Sequence, residues 1–171
     1  MATSLGSSQS VADSGPTGVI LAIDYGQKRL GLALSDEGGV AARPFETWTR
    51  INRRRDLARL RDLVRQEGVR RIVVGLPLHL NGTPSEISEE AKRFAARVET
   101  ALGIPVETMD ERLSSWEAKQ IISETNSRPR ARRTDARRAD AGRKAPLDDV
   151  AAAIILRDYL AQARRLAGVR D

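Results

Sequence analysis

Val19-Ile-Leu-Ala-Ile-Asp24-Tyr-Gly-Gln-Lys-Arg-Leu-Gly31-Leu-Ala-Leu34 sets two short apolar runs on either side of a polar turn. Runs of this length with β-branched residues read as strands, and Gly26 to Arg29 reads as the turn that joins them into a hairpin. Asp24 follows directly on Val19 to Ile23, residues that belong in a core, so its charge requires compensation. It could cap its own turn by accepting hydrogen bonds near Gly26, or it could serve chemistry. Gly26 and Gly31 permit a tight turn and close backbone approach, and Lys28 and Arg29 could face a phosphate. A plain hairpin turn with solvated cations would carry the same residues.

Working outward, Ala41 to Trp48 reads as a third strand, with Pro44 suited to a sheet edge. Leu57, Leu60 and Val64 recur at helical spacing between Asn52 and Glu67, and Gly68 is a natural stop. Arg71-Ile-Val-Val-Gly75 has no polar face and reads as a strand buried on both sides, which implies a βαβ crossover. Thr83-Pro84-Ser85-Glu86 predicts a helix capped by Thr83, with Glu86 completing a capping box, running to about Leu102 before Gly103. Pro105 to Met109 is the next strand and leads into Asp110-Glu111-Arg112. Ser114 with Glu117 forms a second capping box for a helix over Trp116 to Glu124. The last helix spans Leu147 to Leu166, with Asp148 and Asp149 in a first turn that favours acids through the helix dipole.

The 171 residues suit one domain, and 40% hydrophobic with 30% charged residues excludes a mainly disordered or fibrous chain. Without cysteine there is no disulfide framework and no thiolate zinc site. The single histidine, His79, cannot build a zinc site and reads as a loop residue. Residues 1–17 are rich in Ser, Gly and Ala and read as a disordered tail without a signal peptide, leaving a single domain over 18–167. No apolar stretch is long enough for a membrane span, so the expected address is the cytoplasm, with no membrane partner.

The formal net charge is +6. Between residues 126 and 146, Arg128, Arg130, Arg132, Arg133, Arg137, Arg138, Arg143 and Lys144 face only Asp135 and Asp140. That segment alone carries the excess of the whole chain. It reads as a flexible basic loop, and a polyphosphate partner would account for it.

Asp24, the Asp110-Glu111 pair and Asp148 lie at two strand ends and one helix start, places that meet in one cleft of a layered α/β fold. Three or four carboxylates without bases beside them in the sequence suit hard cations such as Mg²⁺ or Mn²⁺. Two such ions, about 3.5 to 4 Å apart, drive phosphodiester hydrolysis without Cys or His.

Four segments together resemble the YqgF (RuvX) family: Ile23 to Gly31, Val74-Gly-Leu-Pro-Leu-His-Leu-Asn-Gly82, Asp110-Glu-Arg-Leu-Ser-Ser115, and Asp148 to Leu156 ahead of Tyr159-Leu160. Order and spacing match from Val19 to about Leu160. Ser114 and Ser115 stand where Thr is common, and His79 where Asn is frequent; no acid is lost. The basic segment is longer than the family's pattern leads one to expect.

The resemblance implies an α/β, RNase H-like fold, a five-stranded mixed sheet flanked by helices. It assigns Asp24 to the first-strand aspartate, Asp110-Glu111 to the acidic motif after a later strand, and Asp148 to the aspartate opening the final helix. Asp149 is an additional neighbour. The activity implied is processing of the 5′ end of pre-16S ribosomal RNA or resolution of four-way DNA junctions.

The leading expectation is thus a metal-dependent nuclease acting on structured RNA or branched DNA. Asp24, Asp110, Glu111 and Asp148 would hold Mg²⁺ or Mn²⁺, while Lys28, Arg29, Arg112, Arg128, Arg130, Arg132 and Arg133 would grip the backbone. Ribosomal precursor particles are an expected partner for the RNA reading, and a homodimer for junction resolution, which needs two paired sites. Two other readings remain: an ATP-dependent phosphotransferase, which the aspartate-glycine hairpin also resembles, and a binding factor without catalysis. The first normally needs two related domains, and this chain has room for one.

Overall fold

A computed structural model describes residues 18–77, 83–110 and 148–168. In chain order the elements are β1 (Val19–Tyr25), β2 (Arg29–Ser35), β3 (Ala42–Thr49), α1 (Arg53–Gln66), β4 (Val69–Leu76), α2 (Glu86–Leu102), β5 (Val106–Asp110) and α3 (Asp148–Gly168). The tail at 1–17, the segment at 78–82 with His79, the helix expected over 116–124 and the basic segment at 126–146 lie outside the described residues.

The strands form one mixed sheet in the order β3-β2-β1-β4-β5. Tight turns join β1, β2 and β3 as antiparallel neighbours, whereas β4 and β5 run parallel to β1 and to each other. Parallel pairing requires a crossover, and α1 and α2 supply it. The α/β class, the five strands and the flanking helices are those the sequence led us to expect. Pro44 lies on the edge strand β3, opposite Ala33 beside a register shift, where its missing N–H leaves the ladder intact.

Strand alternation divides the core in two. Leu21, Ile23, Tyr25, Leu30, Leu32, Leu34, Ile72, Val74 and Leu76 face one way and pack with Leu60, Leu63, Phe94 and Val98 of α1 and α2. Ile20, Ala22, Ala33, Val73 and Met109 face the other way, against Ala152, Ile155, Leu156 and Leu160 of α3. Ala22 and Ala33 lie on this second face, and where they stand α3 can lie close to the sheet.

Two boundaries differ from the sequence reading. β1 continues through Tyr25, so Asp24 sits inside the strand rather than after it. The α2 cap is Ser85, not Thr83: Ser85 Oγ accepts the Ser88 N–H at 3.0 Å, and Ser88 Oγ accepts the Ser85 N–H at 2.9 Å. Both serine and threonine fit the local pattern. Ser85 Oγ also donates to the Pro77 carbonyl at 2.6 Å, tying the helix start to the exit of β4. Gly103 ends the helix in the left-handed conformation, φ 67°.

Arg50 and Asp56 lock the link between β3 and α1. Arg50 Nε donates to Asp56 Oδ2 at 3.2 Å, and its Nη1 donates to Tyr25 Oη at 2.9 Å and to the Gly26 carbonyl at 3.1 Å. Asp56 also accepts the Ile51 N–H at 3.2 Å. Burial pulls the Arg50 pKa down, but hydrogen bonds to Tyr25 and Asp56 outweigh it and raise the value, so the guanidinium stays charged. Asp56 is only 4% exposed. Asp56→Ala would strand a half-buried cation and should cost about 3 kcal/mol. The expected readout is a lower urea midpoint at unchanged slope.

Candidate active site

The site begins with a register. Asp24 of β1 lies directly opposite Gly31 of β2, and both belong to the face that carries α3. A Cβ placed on Gly31 would stand 1.9 Å from the Asp148 carbonyl oxygen and 2.9 Å from Asp148 Cβ. The first residue of α3 therefore rests on the bare backbone of Gly31, one strand over from Asp24. The close approach that Gly31 permits is real, and the backbone that approaches is that of Asp148.

The two acids at the helix start have different tasks. Asp149 Oδ1 accepts the Val150 N–H at 2.9 Å, serving its own helix. Asp148 turns to the hairpin instead, where Arg29 Nε donates to its Oδ2 at 2.5 Å. Both side chains are partly open to solvent, 53% for Arg29 and 27% for Asp148, so the pair adds little to stability. Its importance is positional: it orients Asp148 and cancels part of its charge. Arg29 was expected to face phosphate; here an acid inside the chain holds it.

In the turn between the strands the Gly26 N–H donates to the Arg29 carbonyl at 2.9 Å. Lys28 is exposed in that turn, and its carbonyl accepts the Arg50 N–H at 2.9 Å.

Asp110 ends β5, paired with Leu76 of β4. Its parity is that of Val106, which packs with α1 and α2, whereas Met109 packs with α3. Of the expected acids, the structure brings Asp24 and Asp148 together on one face and sets Asp110 on the other, with β4 between β1 and β5. Glu111, Arg112, Arg128, Arg130, Arg132 and Arg133 lie outside the described residues. Among the described residues no three acids or histidines stand close enough to hold a metal ion.

Asp24 and Asp148 offer hard oxygen donors, the chemistry that Mg²⁺ or Mn²⁺ selects. The absent Cβ at Gly31 lets the main chain of Asp148 lie against the strand position paired with Asp24. The residues present fit a divalent cation.

A mixed sheet in this strand order, with an aspartate on its central strand and another at the start of the covering helix, is an RNase H-like fold. The RuvC structure from T. thermophilus in complex with a Holliday junction substrate has this fold, with a TM-score of 0.53 at 16% identity over 86% of this chain and 96% of that one. The family model RuvX, Holliday junction resolvase, matches residues 18–162. The chain belongs to the RuvX family and is, with it, a nuclease. A relative from Syntrophus aciditrophicus is 43% identical over 141 residues, 82% of this chain and 87% of its own length. One from Chloroflexus aurantiacus is 41% identical over 147 residues, 86% and 88% of the two chains. Both are described as proposed pre-16S rRNA nucleases.

Gly31→Ala tests the platform. The added methyl must push α3 off β2, at a cost of about 1–3 kcal/mol. Because Asp148 moves with the helix start, nucleolytic activity should fall well beyond what the lost stability explains. Thermal melting and cleavage by the folded variant, measured together, separate the two effects.

Proposed function

We propose that this chain is a divalent-metal-dependent endonuclease that processes the 5′ end of pre-16S rRNA. The observation that carries the reading is the meeting of Asp24 and Asp148 over Gly31. The substrate is supported by relatives 41–43% identical over most of both chains, described in those terms. Ribosomal precursor particles follow as partners, and the cytoplasm as the compartment. No helix among the described residues is long and apolar enough to cross a membrane.

Asp24 and Asp148 would hold the ion together with one member of the Asp110-Glu111 pair. When bound, Mg²⁺ or Mn²⁺ supplies Lewis acidity toward a phosphodiester.

The chain's own residues do the rest. Asp148 and Asp24 set the place of the reacting phosphate through their fixed backbones. Arg29, held by Asp148, stands where it can pass to a phosphate oxygen as substrate arrives, and Lys28 lies beside it in the turn. Arg112 and the arginines at 128, 130, 132 and 133 would extend that grip along the substrate. Residues 18–167 would form one domain carrying this machinery.

A second reading, resolution of four-way DNA junctions, is favoured by the description of the family model. It requires a homodimer, because symmetrical cuts need paired sites.

The test is cleavage of two labelled substrates, a 16S rRNA precursor and a four-way DNA junction, with Mn²⁺ or with EDTA. Wild type should cut the RNA only with metal. Asp24→Asn should lose at least about a hundredfold in rate, as expected for loss of several kcal/mol of transition-state stabilisation, while retaining affinity. An Asp24→Asn protein that cuts at the wild-type rate would sink the proposed site, and junction cleavage alone would favour the second reading.

A further inference from the structure

The face of the sheet opposite α3 carries a cleft of about 440 Å³ that the carboxylate site does not use. It opens between the link leading into α1 and one stripe of α2, and Tyr25 and Gln27 form its end nearest β1. Glu90, Arg93 and Arg97 line it from α2 at positions i, i+3 and i+7, one face of a helix. Arg50, Asn52, Arg53 and Asp56 line the other side.

The charges in this cleft are unevenly matched. Asp56 is taken by Arg50 at 3.2 Å. Glu90 accepts from Tyr25 Oη and from Gln27 Nε2, each at 3.5 Å. Arg53, Arg93 and Arg97 form no ion pair among the described residues. Arg93 acts on Glu89 only at range, adding to a lowered pKa that the Lys92 contact mainly sets. Three arginines thus line an open cleft and, among the described residues, pair with neither of its acids.

We infer that this cleft binds the sugar-phosphate backbone of the substrate strand, outside the scissile phosphate, through Arg53, Arg93 and Arg97. The inference rests on the nuclease reading above. Guanidinium forks match phosphate oxygens in pairs. The cleft is open and lined mainly by polar groups, which suits a strand running along it better than an enclosed small molecule. Continuity with the carboxylate site comes from β1: Asp24 faces α3 while Tyr25, the next residue, faces the cleft. A single strand passing over the turn at Gly26 to Lys28 would touch both. Arg50, already bound to Tyr25, Asp56 and Gly26, shapes the cleft and is not counted among the phosphate contacts.

The experiment is fluorescence anisotropy with labelled single-stranded RNA from the 5′ end of a 16S rRNA precursor, in EDTA, over a salt series. Three full-length proteins are compared: wild type, the cleft variant Arg53→Ala/Arg93→Ala/Arg97→Ala, and Arg55→Ala/Arg65→Ala/Arg70→Ala, which removes equal charge from exposed positions outside the cleft. The cleft variant should bind at least about tenfold more weakly near physiological salt, and its log-log salt slope should flatten by about 2, since each single-strand phosphate contact contributes roughly 0.7. The second triple variant should change little. Each single cleft variant should flatten the slope by about 0.7, which tests the inference even if the triple variant folds poorly.

Wild-type affinity and slope in the cleft variants, or an equal loss in the other triple variant, overturns the inference. So does saturable binding of inorganic phosphate that the cleft variant loses while its RNA affinity stays unchanged, because the cleft would then take a small anion. Failure of the wild-type protein to bind or cut nucleic acid at all would instead overturn the nuclease reading itself.

Discussion

The contact on which the site depends is between a glycine and a helix terminus. Asp148 lies on Gly31 at a distance no side chain would allow, and Gly31 is the cross-strand neighbour of Asp24. Backbone packing, rather than attraction between charged groups, brings two acids from distant parts of the chain together. The apolar contacts of α3 with Ile20, Ala22, Val73 and Met109 hold the helix start in that place. Arg29 pairs with Asp148 there.

The sheet separates two tasks on its two faces. Small residues on one face admit α3 and its acids. Large apolar residues on the other pack with α1 and α2, whose outer edge carries arginines. Tyr25 joins the two because it lies next to Asp24 in β1 while its ring meets that of Phe94 at a tilt, 5.1 Å between centroids, and lies under the Arg50 guanidinium at 4.9 Å. The arrangement puts a basic cleft on the opposite face of the strand that carries Asp24. Arg29 pairs with Asp148 from the turn between β1 and β2.

Much of this was legible beforehand. The apolar runs around Asp24, the alternation of strands and helices, the glycine stops at Gly68 and Gly103 and the edge position of Pro44 all follow from local chemistry. The four matching segments pointed to the same family that the matched residues 18–162 now show. Misplacements occurred where two local solutions compete. Thr83 and Ser85 both satisfy a capping pattern, and the Pro77 carbonyl, reached only in the folded chain, selects Ser85.

Sequence by itself determined the class of fold, the acids worth suspecting and the basic excess, because these depend on residue type and short-range spacing. Tertiary structure alone decided which acids meet and what holds them: that Asp148 rather than Asp149 faces the hairpin, that Asp110 falls on the opposite face from Asp24, and that Arg53, Arg93 and Arg97 line one cleft. Each of those outcomes depends on strand register and helix placement, and a shift of one residue would reverse it.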